Sequence, residues 1–396
     1  MNPEPMNPYR WVMLVLLWLL YVTFGLVSRS IFPVVTPILT DLKLSYSQMG
    51  LILGSWQLTY IFAALIAGTI LDRWGIRKSI FAGAMVIGLS AALRCFSGGF
   101  VSMLFAVALF GLGGPMISIG GPKTISAWFH GRSRGTAMGI YTTGNWAGGL
   151  MALALTNSLV MPLVGNNWRL AFVVYGVMTF SIALHWVLFA RGDESGEHSE
   201  SLRVVDVFAN LIKIRNVRIL LIMGLLAFAI GHGFSSWLPK ILEDSGMSAA
   251  QAGWAAAVSI AAGIPSILVV PTLIPPHFRG RIIAVFAVLT SINIVLVMRI
   301  SGTALFIGLA TLGFISAPFM ALLLLILMDS PGVETRHMGS AGGMFFCVAE
   351  IGGFTGPFIM GILVDATGSF MAGALFLAGL CMAMAWLTAF LTQRPA

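Results

Sequence analysis

Charged side chains are scarce in this sequence. Asp, Glu, Lys and Arg make up 9% of its 396 residues, whereas 58% of the residues are hydrophobic. An average soluble domain is about 25% charged. Because a water-soluble fold cannot hide so much apolar surface, the composition excludes a soluble enzyme, a nucleic-acid-binding protein and a disordered chain.

Cysteine is also rare, and motifs of cofactor chemistry are missing. The three cysteines lie inside apolar runs without metal-binding spacing, so they indicate neither a disulfide framework nor a zinc site. The sequence contains no G-x-x-x-x-G-K-[ST] phosphate-binding loop. We therefore expect no cofactor and no enzymatic activity, and we expect a gradient to supply any energy that the protein uses.

Long apolar runs are abundant instead. A helix needs about 20 apolar residues to cross a bilayer, and backbone groups in lipid must be hydrogen-bonded within the protein. The runs are too long for strands and do not alternate, so they predict an all-α integral membrane protein with twelve transmembrane helices. The runs cover about 11–38, 47–71, 79–96, 101–128, 136–163, 170–190, 218–242, 249–274, 282–298, 303–328, 340–365 and 369–392.

Basic residues are distributed unevenly between the loops. If both termini are cytoplasmic, most of the 22 Lys and Arg residues fall on the cytoplasmic side, as the positive-inside rule requires. The exceptions on the outer side are Lys43, Arg94, Arg169, Lys240 and Arg299. The net charge of +8 thus reflects topology. We predict a multi-pass protein of the bacterial inner (plasma) membrane with both termini in the cytoplasm.

The chain divides into halves around one polar segment. Residues 1–190 are predicted to form an N-terminal six-helix bundle, and residues 218–396 a C-terminal one. Residues 191–217 carry the densest acidic cluster, followed by an amphipathic stretch from Arg203 to Val217. We interpret this segment as a cytoplasmic linker with an interfacial helix. A plain tether and a regulatory element are both open readings.

Two segments of the first half recur in the second. LSYSQMG (44–50) matches MSAAQAG (247–253), and RGTAMGIYTTGNWAGG (134–149) matches MGSAGGMFFCVAEIGG (338–353). The two offsets, 203 and 204 residues, are nearly equal, which indicates duplication. Paired six-helix halves are a known transporter architecture with a substrate site near mid-depth between the halves. The sequence therefore predicts two pseudo-symmetric bundles.

The loop after the second span, GTILDRWGIRKS, closely resembles the signature of the major facilitator superfamily. The matching residues are Gly68, Asp72, Arg73, Gly75, Arg77 and Lys78. Gly68 would allow close helix approach, Gly75 a tight turn, and Asp72 a place at a helix N-terminus. The resemblance implies a conformational latch. The equivalent segment 271–281 has Arg279 and Arg281 but no acid, so we expect an asymmetric latch.

The resemblance covers the whole chain. Segments 237–254, 125–139 and 351–368 resemble the cyanate and nitroimidazole permease-like branch. Arg29 followed by PVVTPIL resembles small organic-anion carriers, whose first helix carries a substrate-binding Arg. The drug/proton antiporter branch has a Gly-Pro motif in span five, whereas the segment GIYTTGNWAGG (139–149) of this span has no Pro, which disfavours an efflux pump.

Ionisable side chains inside the bilayer are candidates for function, because each costs several kcal/mol unless it is paired or hydrated. Arg29 in span one and His232 in span seven are 203 residues apart, which makes them repeat mates. A cation from each half facing one cavity suits the binding of one anion. Alternatively, Arg29 pairs with a structural carboxylate and His232 is a packing residue.

Lys123 and Glu350 are the other two candidates. Lys123 in span four either faces the cavity or extends to the interface. Glu350 in span eleven is predicted to carry a coupling proton, since burial disfavours a charged carboxyl group. A structural ion pair is its alternative. Weaker hydrogen-bonding candidates for the substrate are Tyr60, Tyr141 and Asn145.

These observations predict a monomeric secondary transporter. We expect it to move a small anion, carboxylate- or cyanate-like, across the membrane by alternating access, coupled to protons or another ion. Its partners would be the anion and the lipid bilayer, with no nucleic acid. Efflux of drugs or amphipathic solutes with Glu350 as the acid, and a transport-inactive membrane sensor, are the alternatives.

Overall fold

The computed structural model describes residues 8–191, 210–333 and 338–391, and these residues are largely helical and include no strand. Twelve stretches among them are long and apolar enough to cross a membrane. The protein is therefore an all-α membrane protein with twelve candidate spans, as predicted. Most of the acidic segment and the amphipathic stretch after it, residues 192–209, lie outside the described residues.

The first half of the chain contains eight helices, because two of its spans are interrupted. They are α1 (Arg10–Arg29), α2 (Val35–Leu42), α3 (Tyr46–Trp74), α4 (Ile76–Arg94), α5 (Phe100–Trp128), α6 (Arg132–Leu155), α7 (Met161–Leu163) and α8 (Trp168–Phe189). A 3-10 turn, Phe32–Val34, separates α1 from α2, and a π-helical turn, Thr156–Val160, separates α6 from α7.

The second half contains seven helices in the described residues. They are α9 (Arg215–Asp244), α10 (Ala249–Leu273), α11 (Arg279–Val297), α12 (Gly302–Ser316), α13 (Phe319–Asp329), α14 (Met338–Thr367) and α15 (Phe370–Leu387). Helices α12 and α13 together form one span. Many large apolar side chains on these helices are exposed, as a surface solvated by lipid requires.

The chain forms two compact units. One takes Met1–Lys43 and Ser55–His198, and the other takes Leu44–Gly54 and Ser199–Ala396. Helix α3 therefore belongs to both: its first residues pack with the second unit and the remainder with the first. The predicted boundaries 1–190, 191–217 and 218–396 stay a prediction.

The two units repeat the same internal contacts. A Cβ added to Gly148 on α6 would collide with the carbonyl oxygen of Val22 on α1, and one added to Gly352 on α14 would collide with that of Leu225 on α9. Val22 and Leu225 are related by the offset of 203, and Gly148 and Gly352 by that of 204. The residues aligned in the sequence thus occupy equivalent places in the two helix pairs.

Candidate substrate site

The first span is broken where its charged residue lies. Arg29 is the last residue of α1, and Pro33 follows in the 3-10 turn. Because Pro has no N–H, the carbonyl of Arg29 cannot receive the usual helical hydrogen bond. Interrupted spans with freed backbone groups often form the binding sites of transporters. The carbonyl oxygen of Pro33 accepts a hydrogen bond of 2.7 Å from Nδ2 of Asn157, which lies in the π-helical turn.

Arg29 contacts α6. Its Nη1 donates to Asn145 Oδ1 at 3.0 Å and to the Asn145 carbonyl oxygen at 3.4 Å. The side chain lies across Gly149, where an added Cβ would be 2.7 Å from Arg29 Cδ. The structure thus brings together two predicted site residues, Arg29 and Asn145, in the first unit.

No carboxylate neutralises Arg29 in the described part of the first unit. Its two acidic residues there, Asp41 and Asp72, form ion pairs with Arg169 and Lys123. The described acceptors of Arg29 are both on Asn145, and both bind Nη1. The N–H groups of Nη2 and Nε can therefore donate to another acceptor. A guanidinium with open donors fits a carboxylate through two parallel hydrogen bonds.

Two of the predicted tyrosines are held by protein groups. Tyr141 stacks on Tyr21 with ring centroids 4.3 Å apart, and its hydroxyl donates to the Ile117 carbonyl at 2.8 Å. Tyr60 shares a 2.7 Å hydrogen bond with Ser118. Tyr141 is 1% exposed. These contacts give both residues structural roles, and a role in substrate binding stays a prediction.

His232 lies on α9 in the second unit and is half-buried. Its ring is 5.2 Å from that of Phe228 in an edge-on arrangement. Unlike α1 at Arg29, α9 continues without interruption through His232 to Asp244. The repeat mates therefore occupy different backbone settings, and joint binding of one anion by the two residues stays a prediction.

Glu350 lies near the middle of α14. It is 8% exposed, and its Oε2 has no hydrogen-bond partner in the part of the chain that is described. None of the salt bridges formed by the described residues includes it. The alternative of a structural ion pair for Glu350 therefore receives no support from these residues.

The predicted latch loop differs from expectation at Asp72 and Gly68. Asp72 lies in the last turn of α3, not at a helix N-terminus, and it pairs with Lys123. Lys123 was expected either to face the cavity or to extend to the interface, and the structure engages it in this ion pair. Gly68 was expected to allow close helix packing, but no described atom lies within 4 Å of an added Cβ.

Among the other latch residues, Arg77 connects α4 with α8. Gly75 has φ +80°, a conformation that favours glycine and allows the tight turn between α3 and α4. Arg77 donates to the Val187 carbonyl near the end of α8, and Trp186 Nε1 donates to the Arg77 carbonyl at 2.9 Å. A cation near a helix C-terminus is favourable. Arg73 and Lys78 are exposed.

The second unit supplies an acid that the loop sequence lacks. Arg279 pairs with Asp329 at the end of α13. This acid comes from the fourth span of that half and not from segment 271–281, and an asymmetric latch stays a prediction. In the first unit the acid is on the loop side and the base, Lys123, is on the fourth span, so the two pairs have opposite polarity.

The burial of Arg94 is a finding that the charge pattern does not predict. Arg94, which is predicted to lie on the outer side, is 1% exposed and hydrogen-bonds to the end of α1. Its position at the end of an apolar run gave no sign of this burial, which arises from tertiary packing.

Twelve spans, a duplicated six-helix plan and ionisable side chains within the spans define a membrane transporter. The family model described as the Major Facilitator Superfamily matches residues 17–357. The chain therefore belongs to the Major Facilitator Superfamily, a class of transporters and not of enzymes.

Similar proteins include a hexuronate transporter of Bacillus subtilis (strain 168), 27% identical, with 93% of this chain and 91% of the relative covered. A probable galactarate/D-glucarate transporter of Escherichia coli (strain K12) is 24% identical, with coverage of 86% and 83%. Among solved structures, a bacterial homolog of the human lysosomal transporter Spinster is similar at a TM-score of 0.78 and 18% identity, with coverage of 98% and 96%.

Proposed function

We propose that this protein transports a sugar-acid anion, of the hexuronate or aldarate kind, and that Arg29 binds a substrate carboxylate. The observation that carries the proposal is the half-buried Arg29 at the break in α1, with a neutral acceptor and no carboxylate partner among the described residues. The names of the similar transporters suggest the substrate class.

The finer parts of the proposal follow from the sequence. Transport proceeds by alternating access of a monomer, in the inner membrane, with both termini cytoplasmic as the basic residues indicate. Glu350 carries the coupling proton, because its carboxyl group is buried without a cation among the described residues. His232 contributes a second donor to the anion.

Binding to the purified protein tests the substrate class. We expect D-glucuronate, D-galacturonate or D-galactarate to raise the Tm, and neutral D-glucose to have no effect. Saturation at 100 times Kd adds about 2.7 kcal/mol to the free energy of unfolding, which a thermal-shift assay detects. Stabilisation by a lipophilic cation such as tetraphenylphosphonium, with none by the acids, would support an efflux pump instead.

Variants of Arg29 test the binding role. We expect Arg29→Gln to raise the Kd for the stabilising acid about a hundredfold, since losing one member of a buried charge pair costs about 2–5 kcal/mol. Arg29→Lys should recover little, because an ammonium lacks the planar fork. Arg169→Gln is the control, because the wild-type Arg169 guanidinium already pairs with Asp41. Normal affinity and counterflow in Arg29→Gln would refute the role.

A further inference from the structure

Arg94 is a buried cation that the proposed transport mechanism leaves unexplained. It is the last residue of α4 and is 1% exposed. The described acids of the first unit are both paired elsewhere, so no carboxylate neutralises it there. Burying an unpaired charge costs several kcal/mol, so the contacts of this side chain must offset a large penalty.

The contacts of Arg94 lie on both sides of Arg29 in the sequence. Nη1 donates to the Val27 carbonyl at 3.0 Å and to Ser30 Oγ at 3.2 Å. The Ser30 hydroxyl itself donates to the Val27 carbonyl at 2.9 Å. Together the three groups form a closed hydrogen-bonded triangle around the last turn of α1.

Two further groups fix the guanidinium of Arg94. Nη2 donates to Ser90 Oγ at 3.3 Å, one turn earlier on α4. The guanidinium carbon lies 5.3 Å from the ring centroid of Phe172, within the range of a cation–π interaction. The positive charge also lies at the C-terminus of α1, where the helix dipole favours a cation. Arg94 thus connects α4 and α8 to the end of α1.

The end of α1 needs such support because the span is interrupted there. Pro33 cannot donate a hydrogen bond, and the last carbonyls of a helix lack partners within the helix. At the aligned positions of the second unit, 203 and 204 residues after Arg94, lie the apolar residues Val297 and Met298, and α9 is unbroken.

We propose that Arg94 is a positioning residue for substrate binding: it holds Val27 and Ser30 on either side of Arg29 and so fixes where the Arg29 guanidinium lies. The proposal rests on the proposed role of Arg29 in binding the anion. Arg94 itself, being buried, does not touch the substrate.

Hydrogen exchange without any ligand tests the structural part. In Arg94→Met we expect the amides of residues 27–36 to exchange about tenfold faster or more, as local opening of the last turn becomes easier, with the rest of α1 unchanged. Arg169→Met is the control, because its guanidinium also donates to a backbone carbonyl, that of Ser97, and pairs with Asp41 near the end of α2, so any effect of this variant should appear after residue 36 and not at the end of α1. Unchanged exchange over 27–36 would overturn the proposal.

A double-mutant cycle with D-glucuronate and D-galactarate as probes tests the link to Arg29. We expect Arg94→Met to raise the Kd about tenfold or more in the wild-type background, and by less than about twofold when Arg29 is already Gln, since coupled residues are not additive. Equal effects in the two backgrounds would overturn the positioning role, because Arg94 would then act independently of Arg29.

If Arg94→Met does not fold, the conservative variant Arg94→Lys tests the same proposal. Arg94→Lys retains the charge but cannot reach three acceptors with a planar fork, so both readouts should change in the same direction by a smaller factor. Wild-type behaviour of Arg94→Lys in both assays would contradict positioning by the fork. If neither probe binds the wild type, the proposed function fails, whereas the exchange of residues 27–36 still decides whether Arg94 holds α1.

Discussion

Two ionisable groups within the spans of this transporter, half-buried Arg29 and buried Glu350, are stabilised in different ways. Arg29 lies at a helix C-terminus and donates to Asn145, so a positive charge there is compensated by dipoles rather than by an acid. Glu350 lies within a continuous helix, α14, and its Oε2 has no acceptor or donor in the described chain. A neutral carboxylic acid tolerates such a place far better than a carboxylate does.

This contrast predicts the behaviour of Glu350→Gln. Glutamine mimics the neutral acid, so exchange of substrate across the membrane should persist, whereas accumulation driven by a pH gradient should be lost. Counterflow and pH-driven uptake in proteoliposomes measure the two activities. Asp244→Asn, which changes an exposed acid paired with Lys240, should retain both. Accumulation at the wild-type level in Glu350→Gln would assign Glu350 a structural role.

At the scale of elements, glycine contacts hold equivalent helix pairs together. Gly148 lets α6 approach the backbone of α1, and Gly352 lets α14 approach that of α9. Small residues are common at such contacts, since helices in lipid associate through close packing rather than through the hydrophobic effect. Gly139 and Gly343, also related by the offset of 204, have no described atom within 4 Å of an added Cβ.

The two pairs of glycines predict opposite effects of alanine. Gly148→Ala and Gly352→Ala should each destabilise the protein by about 1–3 kcal/mol, the usual cost of overpacking, and reduce the yield of monodisperse protein. Gly139→Ala and Gly343→Ala should be neutral or stabilising by up to about 1 kcal/mol, because alanine restricts the unfolded chain. Thermal unfolding in detergent measures both. Equal Tm values for all four variants would contradict the packing argument.

A carboxylate from α14 caps the N-terminus of helix α3. Asp365 accepts hydrogen bonds from the backbone N–H groups of Tyr46 at 2.9 Å and Ser47 at 2.7 Å, and Gly361 lies against the Tyr46 backbone. An acid at a helix N-terminus satisfies donors that the helix cannot. Asp365 therefore fixes the segment of α3 that packs with the second unit.

Asp365→Ala should lower the free energy of unfolding by about 1–2 kcal/mol, as loss of an N-cap does. Hydrogen exchange should accelerate over residues 44–54 and not over residues 55–74, because the remainder of α3 packs with the other unit. Asp244→Ala, an exposed acid on α9, is the control. Unchanged exchange over 44–54 would show that glycine packing alone holds the start of α3.

At the scale of the whole molecule, the sequence predicts those features that depend on one segment at a time. The spans follow from apolar length, since lipid acts on every helix separately, and the repeat follows from aligned glycines that make equivalent contacts. Proline alone does not determine where a span is interrupted, because Pro33 lies in the break of the first span whereas Pro115 and Pro122 lie inside the continuous helix α5. The burial of Arg94 and the partners of Lys123 and Arg279 depend on residues distant in the sequence.

The polarity of the ion pairs is such a long-range feature, and it differs between the halves. Asp72 near the end of the second span pairs with Lys123 in the fourth, whereas Arg279 after the second span of the other half pairs with Asp329 at the end of the fourth. Both pairs connect the fourth span of their half to the region between the second and third spans, at the end of α3 in one half and at the start of α11 in the other. If connection is their role, the direction of the charges should not matter.

Exchanging the charges tests this equivalence. Asp72→Lys and Lys123→Asp should each reduce uptake about tenfold, because like charges then face each other, whereas the double exchange should recover most of the rate. The Tm is a poor measure, since partly exposed pairs contribute only about 0–1 kcal/mol, so initial uptake normalised to membrane content is the readout. Arg279→Asp with Asp329→Arg is the matched exchange in the other half. If uptake recovers in the Arg279/Asp329 exchange but not in the Asp72/Lys123 exchange, Asp72 has a role in addition to its ion pair, as the predicted latch requires.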